Sequence, residues 1–437
     1  MAAGSYRGVR AGRNKSIPIV VILSRSVVLS SFLIIIVPLL LIFFTMVISK
    51  VTLERAQEWC RWDPNQTTTR CLHDLLCNVE RGDANAEKEL SILFPDDYSR
   101  IGFGTAGLRA SMDIGPLRMN DLVVLQTAQG IAKYCQEQNL LTEKLKIVIG
   151  YDHRSNPDME LSSLSFAILS VLVFQQAGIE CILLEGLTAT PLIPFCTTRL
   201  NAAAGIMVTA SHNPKEDNGY KVYWSDGCQI RPPIDKGIAK SIMENLTPWV
   251  DYRQQLAELR LKYGGSPTMG LADAALTHTL QSEYFDAILK SGLVSGQGSR
   301  CPSTIEPPKF CYTAMHGVGL PFAKRVFSVF AIPPFVSVPQ QEDADPSFPT
   351  VSFPNPEEKG ALDMAKSYAE QQGCDVVLAN DPDADRLAVA ERSRETGEWT
   401  VFTGDQIGAL LGSWLWEIIG KTSDKVRYRY FPRISSF

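Results

Sequence analysis

No pair of cysteines in this sequence is spaced C-x-x-C, and no Cys/His spacing suits zinc, although there are ten cysteines between Cys60 and Cys374. Dispersed thiols in a chain of 437 residues fit a reducing compartment better than a disulfide framework. Positive charge is not in excess. Lysine and arginine number 42 against 47 acids, a net charge of −5, so no global basic field favours nucleic acid as a partner. Internal repeats are lacking, and so are low-complexity tracts apart from one apolar stretch near the N-terminus. What remains is an ordinary globular composition, 45% hydrophobic and 20% charged, long enough for two or three domains.

The apolar stretch carries the first expectation. Residues 1–25 hold Arg7, Arg10, Arg13, Lys15 and Arg25 and no acid, and residues 27–48 hold no charge at all. As a helix that run would span about 33 Å, enough for a hydrocarbon core of about 30 Å. Pro38 would kink it without excluding it. No small-x-small cleavage site follows, which favours an anchor over a cleaved signal peptide. The expectation is a transmembrane helix over 27–48 inside an N-terminal segment 1–50, with membrane insertion through it. The basic flank would stay cytoplasmic and the rest would lie across the membrane.

The rest of the chain is organised around Gly205 to Trp224, GIMVTASHNPKEDNGYKVYW. A short apolar strand, Gly205 to Val208, runs into a polar loop, the usual place for chemistry in an α/β sheet. Ser211 offers a hydroxyl for a phosphoryl group, His212 can move a proton, and Lys221, beyond a turn, can meet an anion. Asn213-Pro214 and Asn218-Gly219 are both turn dipeptides. Taken alone, Ser211 could equally be a turn or helix-cap serine.

A second stretch, Asp375 to Glu391, reads DVVLANDPDADRLAVAE. Val376 to Ala379 suits a buried parallel strand. It runs into Asp381, Asp383 and Asp385, then Arg386. Three carboxylates at alternate positions after a strand can converge on one hard cation, and Mg²⁺ prefers to share its oxygen ligands with a phosphate. An EF-hand loop is excluded, because its glycine and glutamate positions are Arg386 and Arg392. A haloacid-dehalogenase phosphatase is disfavoured by Asp385 at the fifth motif position.

Together, TASHNP, NGYK, NDPDADR, GFGTAGLR and DPDADRLAVAE resemble the α-D-phosphohexomutase superfamily, in its phosphoglucomutase-two or phosphopentomutase branch. The resemblance covers roughly Trp59 to Trp416. It implies tandem doubly wound α/β domains: domain I over 51–250 with the phosphoserine loop, domain II over 251–400 with the metal loop, and part of domain III over 401–437. It implies Ser211 as phosphoserine, and Mg²⁺ bound by Asp381, Asp383 and Asp385 together with the phosphate on Ser211. His212 and Lys221 then serve proton transfer or charge stabilisation, and Arg109 and Arg386, with Ser211 and Asp385, contact the substrate. The implied reaction is Mg-dependent mutase chemistry on sugar phosphates, ribose 1-phosphate to ribose 5-phosphate and glucose 1-phosphate to glucose 6-phosphate. Glucose 1,6-bisphosphate would be the primer, and the implied location is cytoplasmic. A glucose 1,6-bisphosphate synthase of the same branch shares these motifs and stays open, as does an inactive, membrane-tethered phosphosugar-binding fragment.

Gly102 to Arg109 also matches G-x-G-x-x-G, but the preceding FPDD is a turn, so the dinucleotide fingerprint fails its context. The glycine-rich loop and Arg109 still suit phosphate contact. After about Glu417 the likeness stops, and the tail is basic and unpatterned. No Gly-Glu-Glu-type sugar loop and no Arg-x-Ser-Gly-Thr phosphate loop follow in the sequence, so the expectation is an impaired mutase.

Overall fold

A computed structural model describes residues 48–138, 144–263, 266–291 and 307–416. The first three helices are α1 (Lys50–Trp62), α2 (Gln66–Glu80) and α3 (Ala84–Leu93). Ser49, Asn65 and Asp83 cap their N-termini, each side chain accepting from a backbone N–H of the first turn. Trp59 is buried edge-on against Phe94 at 5.6 Å and ties α1 to the end of α3.

Two helix-covered sheets follow. In chain order the first region contains β1 (Leu108–Ser111), α4 (Asp121–Glu137), β2 (Lys146–Tyr151), the short ribbon of β3 (Ser155–Asn156) and β4 (Leu161–Ser162), α5 (Ser163–Gln176), β5 (Glu180–Leu183), α6 (Leu192–Arg199), β6 (Ala204–Val208), β7 (Asp217–Trp224) and α7 (Ile234–Glu244). Helices α8 (Tyr252–Tyr263) and α9 (Ala274–Lys290) lead to the second region. It contains β8 (Phe310–Thr313), α10 (Gly319–Val329), β9 (Val336–Ser337), α11 (Asp363–Gln372), β10 (Val376–Asn380), β11 (Leu387–Arg392), β12 (Trp399–Phe402) and α12 (Gly404–Leu415).

The first sheet runs β1-β7-β6-β2-β5 and the second β12-β11-β10-β8-β9. Both are mixed. β2 pairs parallel with β5 and β6, while β7 is antiparallel to β6 and β1. β10 is parallel to β8, while β11 returns antiparallel to β10 and β12 to β11. The doubly wound expectation is corrected accordingly, to mixed α/β sheets. The cause is connection length: residues 209–216 and 381–386 are too short for a crossover helix, so the strand after each comes back antiparallel. The parallel strands are where the sequence shows uninterrupted apolar runs. Every residue of β6 is buried, as a strand covered on both faces requires.

Two further expectations need revision. The transmembrane helix expected over 27–48 is not supported: through residue 47 it lies outside the described residues, and among the described residues no helix is long and apolar enough to cross a membrane. Residues 1–47 lie outside the described set, and α1, the first described helix, carries Lys50, Glu54 and Arg55. The tail 417–437 and the glycine pair at 264–265 also lie outside it. Asn218-Gly219 is not a turn but the start of β7, so Lys221 sits on a strand. Helix α11 begins at Asp363, after Gly360 at φ +88°.

Candidate active site

Two loops meet between the sheets. Residues 209–216, which link β6 to β7, carry Ser211 and His212; residues 381–386, which link β10 to β11, carry the three aspartates. Ser211 Oγ donates to Asp381 Oδ2 at 2.6 Å. Thr190 binds Asp383 twice, through its hydroxyl to Oδ2 at 2.6 Å and its N–H to the carbonyl at 2.9 Å. Lys221 reaches from the middle of β7 and places Nζ 2.6 Å from Asp383 Oδ2 and 2.7 Å from Asp385 Oδ2. Ser211, Lys221, Asp381 and Asp383 are all buried, and Asp385 alone of the triad is exposed.

Both loops hold a non-glycine residue in the left-handed region, Ser211 at φ +55° and Ala384 at φ +58°. Such backbone costs on the order of 1–3 kcal/mol and persists only when its surroundings over-determine it. For Ser211 the surroundings are explicit. The fully buried Arg154 guanidinium donates to four carbonyls of the loop: Ser211 at 2.6 Å, Asn213 and Pro214 at 2.7 Å, and Asp217 at 2.9 Å. Asp152 backs it, pairing with Arg154 Nε at 3.5 Å and accepting from the Arg154 N–H and from Ser163. Thr209 Oγ1 accepts from the Ser211 N–H at 2.8 Å. The serine loop is therefore a rigid cradle, not a surface turn.

The metal loop is held by its own sheet. Arg386 N–H donates to Asp381 Oδ1 at 3.0 Å, and Asn380 Nδ2 to the Arg386 carbonyl at 2.6 Å. Pro382 lies against Gly317 so closely that a Cβ there would sit 2.3 Å from Pro382 Cα. The Val318 N–H donates to the Pro382 carbonyl at 2.8 Å.

The electrostatics divide the roles. Burial, then Asp383 and Asp385, raise the Asp381 carboxyl. Burial pushes Asp383 the same way, but Lys221 together with hydrogen bonds from Asp381 and Thr190 outweighs it and holds that carboxyl below the ordinary range. Burial opposes charge on Lys221, yet Asp383 and Asp385 overcome it and hold the ammonium above the usual lysine range. Burial, then Arg386 and Arg109, pull His212 down to about 4, so its ring is neutral near pH 7. His212 Nδ1 stands 3.3 Å from Ser211 Oγ.

The triad fits a hard cation. One oxygen from each of Asp381, Asp383 and Asp385 lies within 4.8 Å of the others. Asp383 Oδ1 is buried and meets no hydrogen-bond donor among the described residues. An all-oxygen set with an orphaned carboxylate oxygen suits a hard cation rather than a softer metal.

Of the site residues expected from sequence, Ser211, His212, Lys221, Asp381, Asp383 and Asp385 come together here. Arg109, on β1, reaches the same loop by donating from Nη1 to Asn213 Oδ1 at 2.9 Å. Arg386 is half-buried and makes no ion pair among the described residues. Sequence reasoning passed over Arg154 and Thr190. The available signal was position: both follow strands of the parallel set, at the carboxyl edge where α/β sheets gather their ligands.

Comparison with known proteins follows the same division. The family description "Phosphoglucomutase/phosphomannomutase, alpha/beta/alpha domain I" matches residues 100–248, and domain II of that family matches residues 282–395. Phosphopentomutase of Homo sapiens is 42% identical over 364 residues, covering 83% of this chain and 55% of the relative. Glucose 1,6-bisphosphate synthase of Homo sapiens is 38% identical over 374 residues, covering 84% of this chain and 56% of the relative. The chain thus spans about half the length of the curated relatives it matches. A phosphoglucomutase/phosphomannomutase family protein from Burkholderia thailandensis superposes with a TM-score of 0.52 at 18% identity, over 72% of this chain and 58% of that one. That is a likeness of fold.

Proposed function

The chain belongs to the phosphoglucomutase/phosphomannomutase family, and from that membership we propose that its two sheets carry the serine and metal parts of a phosphosugar mutase site. The observation that carries the proposal is the 2.6 Å bond from Ser211 to Asp381, which joins a nucleophilic hydroxyl to a cation-ready carboxylate cluster. Ser211 is the phosphoryl carrier. Asp381, Asp383 and Asp385 hold Mg²⁺, which when bound screens the charge of the phosphoryl group. The substrates are ribose 1-phosphate and glucose 1-phosphate, with glucose 1,6-bisphosphate as primer.

In the transfer, the bond from phosphorus to Ser211 Oγ breaks as a bond from phosphorus to a sugar oxygen forms. The sugar hydroxyl gives up a proton. Lys221 is a poor acceptor, since two carboxylates keep it protonated, so it serves as a fixed cation. His212 is neutral and adjacent to the serine oxygen, which suits it to take the proton. Arg109 and Arg386 flank the loops and anchor phosphate oxygens as guanidinium forks. Arg154 touches no reacting atom and acts by positioning Ser211.

The test is transfer itself. Incubation with radiolabelled glucose 1,6-bisphosphate and Mg²⁺, followed by peptide mapping, should place label on Ser211. Label retained by Ser211→Ala would show that the carrier lies elsewhere. Net conversion of ribose 1-phosphate, against net accumulation of the bisphosphate, separates a mutase from a bisphosphate synthase.

A further inference from the structure

With no residue of the serine loop in its lining, a cavity of about 240 Å³ lies among α1, the end of α3 and the start of α4. Its walls include Trp59, Trp62, Phe94 and Tyr98, and two guanidiniums, Arg55 and Arg100, reach it. Neither arginine forms an ion pair among the described residues. Arg100 donates to Gln126 Oε1 and to the Val123 carbonyl; Arg55 donates to the Pro95 and Ser99 carbonyls and lies 5.1 Å over the Tyr98 ring. All these partners are neutral. Asp97 and Glu58 lie near enough to favour the charge on Arg55 without pairing with it, whereas burial and Arg55 are what act on the charge of Arg100. Burial first, and Arg55 second, pull Arg100 down to about 10, as expected for two cations sharing a partly desolvated place. The one carboxylate on the wall, Glu58, makes no ion pair among the described residues. Residues 1–47, which run into α1, contain no acid that could supply the counter-charge.

We propose that this cavity is a binding site for a small organic anion, a carboxylate or phosphate monoester carried on a flat apolar body. Trp62 and Tyr98, the aromatic walls that are not buried, take the body by stacking, and the two guanidinium forks take the head group. The volume admits about one ring and its head group, which excludes polymers. Arg100 stands immediately before the glycine-rich segment 101–107 that leads to Arg109 on β1, and Ile101 N–H is tied to the Pro116 carbonyl at 2.8 Å. An occupant that fixes Arg100 therefore fixes the root of that segment.

The experiment titrates the full chain with benzoate, with phenyl phosphate and with benzyl alcohol as the neutral control, by calorimetry and by the fluorescence of Trp59 and Trp62. Expected is one benzoate per chain with Kd below about 1 mM, and at least about tenfold weaker binding of benzyl alcohol. Arg55→Gln and Arg100→Gln should each weaken benzoate by at least about tenfold. Arg55, half-buried and hydrogen-bonded to carbonyls alone, keeps the test usable should Arg100→Gln fail to fold. Ser211→Ala should leave benzoate binding unchanged, which separates this site from the phosphoryl site. Benzyl alcohol binding as tightly as benzoate, no saturation by either anion, or unchanged affinity in Arg55→Gln would each overturn the proposal.

Discussion

Arg154→Met is the most informative single change in this molecule. The guanidinium makes four hydrogen bonds to loop carbonyls and faces a carboxylate, Asp152, that is 1% exposed. Methionine roughly fills the space of the stem but donates nothing. Removing one partner of a buried ion pair costs about 3–5 kcal/mol, because the other charge is stranded. Carbonyls left without donors add about 1–3 kcal/mol each where water cannot reach them. These terms are not additive, and the loop can relax outward. A loss of about 4–6 kcal/mol is the expected result, a large part of a typical net stability of about 5–15 kcal/mol. Relaxation has a local signature too. Without the clamp only the Thr209 and Asp381 hydrogen bonds hold Ser211 at φ +55°, and the exposed Lys215 a few residues on becomes a cleavage site. Urea denaturation reads the global loss, and the rate of trypsin cleavage at Lys215 reads the local one. Arg154→Lys keeps the charge but not the fork, and should fall between wild type and Met. Asp152→Asn combined with Arg154→Met should recover stability by removing the stranded charge, yet leave cleavage at Lys215 fast. If Arg154→Met lost less than about 1 kcal/mol and resisted trypsin like wild type, the clamp argument would fail.

Other changes test the metal side and the pH response. Asp381→Asn and Asp383→Asn should each weaken Mg²⁺ by at least about tenfold in calorimetry, whereas Lys221→Met, which frees Asp383 and Asp385 from a bound ammonium, should tighten it; equal affinities in all three would remove the triad as the site. Gly317→Ala places a methyl 2.4 Å from the Pro382 carbonyl oxygen and should push the metal loop out of register. An overpacking cost of about 1–3 kcal/mol with weakened Mg²⁺ binding is expected, and an unchanged Mg²⁺ titration would contradict it. Burial pushes Asp63 up to about 6, and burial followed by Asp63 pushes Asp121 up to about 7. Both carboxyls bind protons more tightly folded than unfolded. Stability should therefore fall as pH rises from about 4 to about 7, by up to about 1.4 kcal/mol per pH unit per group, and level off above. Asp121→Asn should flatten that slope in denaturation curves taken across the window, and an unaltered slope would show that Asp121 titrates normally.

The parts of this site that could be read from sequence are those whose local pattern is forced. β6 is buried at every position and β10 alternates between buried and half-buried, so their apolar runs stand out, and the alternating aspartates after β10 announce a carboxylate cluster before any contact is known. Asn218-Gly219 was misleading for a physical reason. It mimics a turn, but Asn218 faces inward, its Nδ2 donating to Ser163 Oγ at 2.9 Å, and a Cβ on Gly219 would lie 2.5 Å from the Thr209 carbonyl oxygen. Close packing, not a reversal of the chain, demands that pair. Arg154 and Thr190 were illegible as functional because their partners are distant in sequence. A four-carbonyl clamp exists only after β7 has folded back beside β6, and Thr190 finds Asp383 only when the two sheets meet.

The pairing of Lys221 with Asp383 and Asp385 has a consequence for which ions this site can tolerate. Once a bound cation displaces the proton that burial and its neighbours favour on Asp381, three carboxylates facing one ammonium leave two negative charges over, in a largely buried place where water does little to screen them. A divalent cation closes that balance without remainder. A monovalent ion leaves the cluster under repulsion, and a trivalent one must evict a further cation or draw in an anion. A phosphate ester on Ser211 would then add about two negative charges, and Arg109 and Arg386, the two guanidiniums flanking the loops, match them. If the triad and Ser211 are loaded as proposed, the charges balance at two successive levels of loading, and ion valence, ahead of ion size, is the property such a site would select.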